Sequence, residues 1–188
     1  MTDRTAIEVD VIIPVHNASS TVKEAALSAL HQEIPSSPSP LLQLFLEKYS
    51  ISTTVCCYDD GSKDDSLQIL RQIESSRPNA ETTTKDVASK PMQGMIPSRL
   101  LVGSGKTDLG RGAGYARNRA IDMNNSPLRD RKYSEGEGSN LNGKSDCTEN
   151  ENKLKFLCLL DSDDVMHKHR IIEQVLFMMY KVDDKARG

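Results

Sequence analysis

The chain of 188 residues carries 24 Lys and Arg against 27 Asp and Glu, a formal charge of −3, and 37% of it is hydrophobic. That suits one domain of ordinary size with a lean core, and it excludes a global positive field for nucleic acid or an anionic membrane. No apolar run approaches the ~20 residues of a membrane helix, and residues 1–10 are too polar for a secretory signal, so the expected compartment is the cytosol, with no membrane partner.

Val9-Asp10-Val11-Ile12-Ile13-Pro14-Val15 is a β-branched run and predicts a buried first strand. Thr21 followed by Glu24 has the spacing of a capping box. The helix it opens, with Val22, Ala26, Leu27 and Leu30 at helical spacing, runs to about Gln32, and Pro35, Pro38 and Pro40 stop it. Residues 41–48 predict a short amphipathic helix. Residues 51–58 form the second strand, ending in Asp59-Asp60-Gly61-Ser62, and Asp64-Asp65-Ser66 caps a helix with Leu67, Ile69, Leu70 and Ile73 as its apolar positions.

Residues 77–97 are rich in Ser, Thr, Lys and Pro without periodicity and read as a surface insertion. Leu100-Leu101-Val102 is a third strand, and the glycine-rich 110–114 opens a helix through Ile121. A second polar insertion spans 124–152. Residues 154–160 are the fourth strand, followed at once by Asp161-Ser162-Asp163-Asp164. A last helix over 167–181 carries Ile171, Ile172, Val175, Leu176, Met178 and Met179, a face expected to want a further apolar partner. Strand–helix repeated four times predicts an α/β fold, an open parallel sheet with helices on both faces.

In such sheets ligands sit beyond the carboxyl ends of the strands. The unusual polar residues all fall there: His16-Asn17, Asp59-Asp60, Arg111 and 161–164. Carboxylates as close as Asp161, Asp163 and Asp164 repel unless a cation or donors compensate, and hard oxygens suit Mg²⁺ or Mn²⁺ beside a diphosphate. The plain alternative is a solvated loop capping the next helix. Asp59-Asp60-Gly61-Ser62, taken alone, is an Asx-type turn. Arg111 and Arg117 can meet phosphate near a helix start, or simply be solvated.

Other signals are weaker. Gly110-x-Gly112-x-Gly114 is a partial dinucleotide fingerprint with Arg117 in the last glycine's place. Gly103-Ser104-Gly105-Lys106-Thr107 lacks the first Walker glycine, since Leu100 stands there. His16, His31, His167 and His169 form no hydrolase triad with a serine or cysteine. Cys56, Cys57 and Cys158 lie in apolar runs and Cys147 in a polar one; with no C-x-x-C pair, buried free thiols are expected.

Four segments together resemble the family 2 glycosyltransferases of the GT-A fold. They are Val11-Ile12-Ile13-Pro14-Val15-His16-Asn17-Ala18, Asp59-Asp60-Gly61-Ser62-Lys63-Asp64, Arg111-Gly112-Ala113-Gly114-Tyr115-Ala116-Arg117-Asn118, and Leu160-Asp161-Ser162-Asp163-Asp164. The resemblance implies that 1–188 is the donor-binding, N-terminal part of a glycosyltransferase 2-like domain, interrupted by the two insertions. It implies a UDP-sugar donor, with Pro14, Val15, His16, Asn17 and Asp60 lining uracil and ribose and Arg111 near the diphosphate or sugar. Asp163 would hold Mn²⁺ or Mg²⁺, with Asp161 on the ribose or the metal, and Asp164 would assist. The acceptor would be a tRNA or a glycan and the anomeric centre would invert. The catalytic base and acceptor side would lie beyond Gly188, so a non-catalytic UDP-binding fragment or pseudoenzyme is the alternative, and a NAD-dependent oxidoreductase a third reading.

Overall fold

The computed structural model describes residues 4–77, 94–105, 110–125 and 153–186, with side chains through Tyr180. The elements run β1 (Thr5–Val15), α1 (Val22–Leu30), α2 (Pro40–Lys48), β2 (Tyr49–Asp59), α3 (Ser66–Ser76), β3 (Ser98–Ser104), α4 (Ala113–Asn125), β4 (Lys153–Leu159) and α5 (Arg170–Ala186). All four expected strands form, each reaching a residue or more past its apolar run except β4, which stops one short.

The four strands form one parallel sheet in the order β3-β2-β1-β4. Alternation along β1 feeds two cores. Val9, Val11, Ile13 and Val15 point to one face and pack with Val22, Ala26 and Leu30 of α1, Leu70 of α3, and Ile171, Ile172 and Val175 of α5. Ile12, with Cys56 and Tyr58 of β2, points to the other face, where Ala116 and Ala120 of α4 cover it. Small residues at those two positions let the helix lie close on the sheet. The helices therefore do occupy both faces.

The α5 face is better covered than expected. Ile171, Ile172 and Val175 are buried, and Leu176 and Met179 pack against the same core; Met178 stays exposed with Phe177 and Tyr180. Conversely, β4 is an edge strand and not the buried one its seven apolar-rich residues suggest. Register sets Leu159 beside Ile12 and Leu157 beside Asp10, yet these leucines are 54% and 52% exposed, because α4 reaches over β1, β2 and β3 but not over them. Among the described residues no helix is long and apolar enough to cross a membrane.

The expected insertions 77–97 and 124–152 lie mostly outside the described residues, as do Lys106, Thr107 and Cys147. Their described ends are structural. Ile96 is buried, its N–H donates to the Gln32 carbonyl, and the Pro97 carbonyl accepts from Thr53 N. Asn124 and Asn125 close α4. Nor does the capping box form, since the Thr21 hydroxyl donates back to the Ala18 carbonyl (3.4 Å) and caps nothing. At α3 the cap position falls to Asp65, whose side chain makes no cap bond. Asp64 instead accepts from Ser66 N (3.1 Å), the Ser66 hydroxyl and Ser19 N (2.9 Å).

Candidate functional site

Strand order reverses direction at β1: β2 and β3 lie on one side of it and β4 on the other. The carboxyl ends of β1 and β4 therefore flank a topological switch point, the place where doubly wound sheets bind ligands. A cavity of about 390 Å³ sits there, lined by Pro14, Val15 and His16 at the end of β1, Asp60 after β2, Gly110, Gly112, Ala113, Ala116 and Arg117 around the start of α4, and Asp161, Ser162 and Asp163 after β4.

Each wall is set by local bonds. His16 Nδ1 lies 3.0 Å from the Asp60 carbonyl and Nε2 lies 3.1 Å from Asn17 Nδ2, partners that suit an Nδ1–H donating to the carbonyl and an Nε2 accepting from the amide. Asn17 takes a left-handed conformation, φ 50°, as Asn tolerates. Its N–H donates to the Ser62 hydroxyl and its Oδ1 accepts from Lys63 N (2.8 Å). Asn17 thus laces the loops after β1 and β2 together and is not among the residues lining the cavity.

Asp59 and Asp60 divide the roles that the sequence left open. Asp59 Oδ2 accepts from Ser62 N (3.2 Å), the Asx-type turn. Asp60, 4% exposed, turns to α4, where Oδ2 accepts from both Arg111 N and Gly112 N at 2.6 Å. A carboxylate against the first amides of a helix also meets the positive end of its dipole. Asp60 is therefore a cavity wall and the clasp of α4 at once. Gly112 has φ 96°, and a side chain on Gly110 would press to 3.1 Å from both the Asp60 carbonyl and the His16 ring. Those two demands explain Gly110 and Gly112 without a dinucleotide; Gly114 has open space around it.

The cation at the cavity is not Arg111. The Arg111 guanidinium lies 4.9 Å from the Tyr115 ring centroid and reaches the Tyr115 hydroxyl, while its backbone N–H is held by Asp60. Arg117, one and a half turns further along α4, lines the cavity instead. Its Nη2 donates to Asp161 Oδ1 at 2.6 Å, while its buried Nε–H has no acceptor among the described residues. Sequence spacing could have favoured Arg117 over Arg111: it follows the buried Ala116 and lies one turn after Ala113 on the cavity wall, whereas Arg111 precedes the helix.

Asp161 is thus compensated by a guanidinium. Asp163 lines the cavity and Asp164 does not; Asp164 N donates to the Asp161 carbonyl and closes the turn. Among the described residues these aspartates do not bring three carboxylate oxygens to ligand spacing. Asp161 and Asp163 are the oxygen pair that a hard divalent ion could use with phosphate completing its shell.

One cluster escaped the sequence reading. Asp10, wholly buried in β1 on the α4 side, accepts from Asn124 Nδ2 (2.7 Å) and pairs with Lys155 Nζ (2.9 Å). Asn124 in turn accepts from Arg99, whose Nε reaches the Thr54 hydroxyl. The signal was a lone carboxylate inside a β-branched run, a residue that is not buried without partners.

No curated protein matches the chain. Among solved structures it is similar to S. aureus TarS 1-349 in complex with UDP-GlcNAc, at 20% identity and TM-score 0.48, covering 92% of this chain and 31% of that one. The same TarS piece in complex with UDP aligns at 19% identity and TM-score 0.47, covering 92% and 32%. The chain therefore spans about a third of these structures. The profile of glycosyl transferase family 2 matches residues 10–88, from β1 past α3 and under half of the sequence.

Proposed function

We propose that this chain binds a nucleoside diphosphate sugar in the crevice between β1 and β4 and serves glycosyl transfer from it. The observation that carries the reading is the facing of Arg117 and the Asp161–Asp163 turn across that cavity, with an orphaned Arg117 Nε–H beside it. The family 2 match over residues 10–88 supports the same class. Uridine is assigned to the wall of Pro14, Val15 and His16, and the diphosphate to Arg117 and the start of α4, where the helix dipole favours an anion. Asp60 keeps that helix start in place. Mn²⁺ or Mg²⁺ would be held by Asp163 with Asp161 and would neutralise charge on the departing diphosphate. Arg117 would then exchange the Asp161 oxygen for a phosphate oxygen, a stronger and bidentate partner. An acceptor hydroxyl displacing the diphosphate directly inverts the anomeric carbon.

The finer reading is galactose as the sugar and the queuosine base of tRNA as the acceptor. It rests on the likeness of residues 111–118 and 160–166 to the queuosine-tRNA galactosyltransferases. One observation favours a second reading, UDP-sugar binding without transfer. Among the described residues no carboxylate lining the cavity remains to act as a base, since Asp60 clasps α4, Asp161 pairs with Arg117, and Asp163 is left for the ion.

Calorimetry with UDP, ATP and NAD, each with Mn²⁺ or with EDTA, tests the binding. UDP is expected to bind tightest, Mn²⁺ to strengthen it, and Arg117→Ala to weaken it by about tenfold to a hundredfold, one charge-assisted contact being about 1.5–3 kcal/mol. Equal affinities for the three nucleotides would end the proposal. Turnover of UDP-galactose with queuosine-containing tRNA, against simple glycans, separates the two readings.

A further inference from the structure

Away from the cavity, His167 and His169 on the connection into α5 and Glu173 in its first turn bring one ligand atom each to within 4.8 Å of the others. We propose that these three side chains form a second divalent-metal site, of the zinc class, that ties the connection carrying Asp161 and Asp163 to α5.

The donor set selects the ion. Two imidazoles and one carboxylate suit Zn²⁺, Co²⁺ or Ni²⁺ and not the hard Mg²⁺. The rings already stand in a suitable relation: their centroids are 5.4 Å apart and their planes cross at 87°. Two imidazoles sharing one zinc at Zn–N of about 2.0–2.1 Å in tetrahedral geometry place their centroids roughly 5 Å apart. The His169 amide approaches His167 Nδ1 at 3.4 Å, a long contact that ring rotation surrenders cheaply.

The backbone that presents the ligands is fixed before any ion arrives. Met166 N donates to the Ser28 hydroxyl (2.9 Å), Gln32 Nε2 to the His167 carbonyl (3.1 Å), Glu33 N to the Lys168 carbonyl (2.7 Å), and Ile171 N to Gln32 Oε1 (3.1 Å). Binding therefore orders three side chains and no main chain, so little affinity is lost to ordering. An outer carboxylate is present too: Glu33 Oε2 stands 4.0 Å from His169 Nε2 and is held by Lys168 Nζ at 3.0 Å. A ring rotation that shortened that distance to a hydrogen bond would let Glu33 orient His169 as outer carboxylates orient ligating histidines.

The test uses the metal-stripped chain titrated with Zn²⁺ against a chromophoric chelator. One equivalent is expected to bind. His167→Ala and His169→Ala should each weaken it by about tenfold or more, as loss of ligands or their supports does. Proton NMR of the unaltered chain covers the case in which a variant misfolds: Zn²⁺ should move the ring signals of His167 and His169 and leave His16 in place. Zinc affinity indifferent to both histidines, ring shifts at His16 alone, or no binding below millimolar Zn²⁺ would each overturn the site.

Discussion

Two buried carboxylates do unlike work, and substitution separates them. Asp60 Oδ2 serves two amides of α4 at 2.6 Å. Asp60→Ala leaves both donors unmatched and should cost about 1–3 kcal/mol in urea unfolding without ligand. An aspartate acting on ligand alone would leave the urea midpoint where it was. Asp10→Ala strands the Lys155 ammonium and the Asn124 amide and is expected to cost about 3 kcal/mol. Replacing the pair together, Asp10→Leu with Lys155→Met, should recover more than half of that, because two apolar side chains need no compensation. Failure of the double variant to recover would mean that Asn124 and Arg99 depend on the Asp10 oxygen for more than charge balance. The thiols of Cys56 and Cys57 are inert for a related reason: burial, with Asp10 adding to it at Cys56, pushes the Cys56 thiol up to about 12, and burial pushes Cys57 up as well.

Loops around the cavity are joined to one another more than to their own helices. Asp64 ties the segment before α1 to the first turn of α3 through Ser19 and Ser66, and the Ser66 hydroxyl accepts from Ala18 N (2.8 Å). Partial burial opposes ionisation of Asp64, yet the bonds from Ser66 and Ser19 outweigh it and hold the carboxyl well below the usual range. A depressed folded value gives stability that is complete above the unfolded value, near pH 4, and fades as pH falls toward the folded one. The stability gap between the unaltered chain and Asp64→Asn should therefore be constant above about pH 5 and narrow from about pH 4 to pH 2. Denaturant midpoints across that range check it, and a gap that widened on acidification would contradict the assignment.

At the scale of the whole molecule, the sheet is closed on one face and open at one edge of the other. Ile12 lies fully buried beneath α4, while its register neighbour Leu159 is half exposed on β4. Ile12→Thr is expected to cost about 2–4 kcal/mol, through a cavity and a buried hydroxyl. Leu159→Thr should stay within about 1 kcal/mol. Equal costs, read from urea unfolding, would mean that β4 is covered in solution. Gln32 has a matching role on the opposite face: wholly buried, it joins the end of α1 to the start of α5 and holds the connection that leads out of the aspartate turn.

Periodicity carried the elements. Runs of β-branched residues, helical spacing of Ala, Leu and Ile, and glycine at the α4 start are local properties, so the strands, the helices and the gathering of polar residues at the strand ends, where the cavity lies, were readable in the chain itself. Partner choice was not. Whether a carboxylate meets a ligand or an amide depends on what another segment brings to it: α4 claims Asp60, Arg117 claims Asp161, and Tyr115 draws Arg111 aside. The edge position of β4 was equally hidden, because an apolar run looks the same whether one neighbouring strand pairs with it or two. Only the packed sheet, with α4 lying over three strands and not the fourth, decides which leucines are core, and only the folded connection brings His167 and His169 beside Glu173.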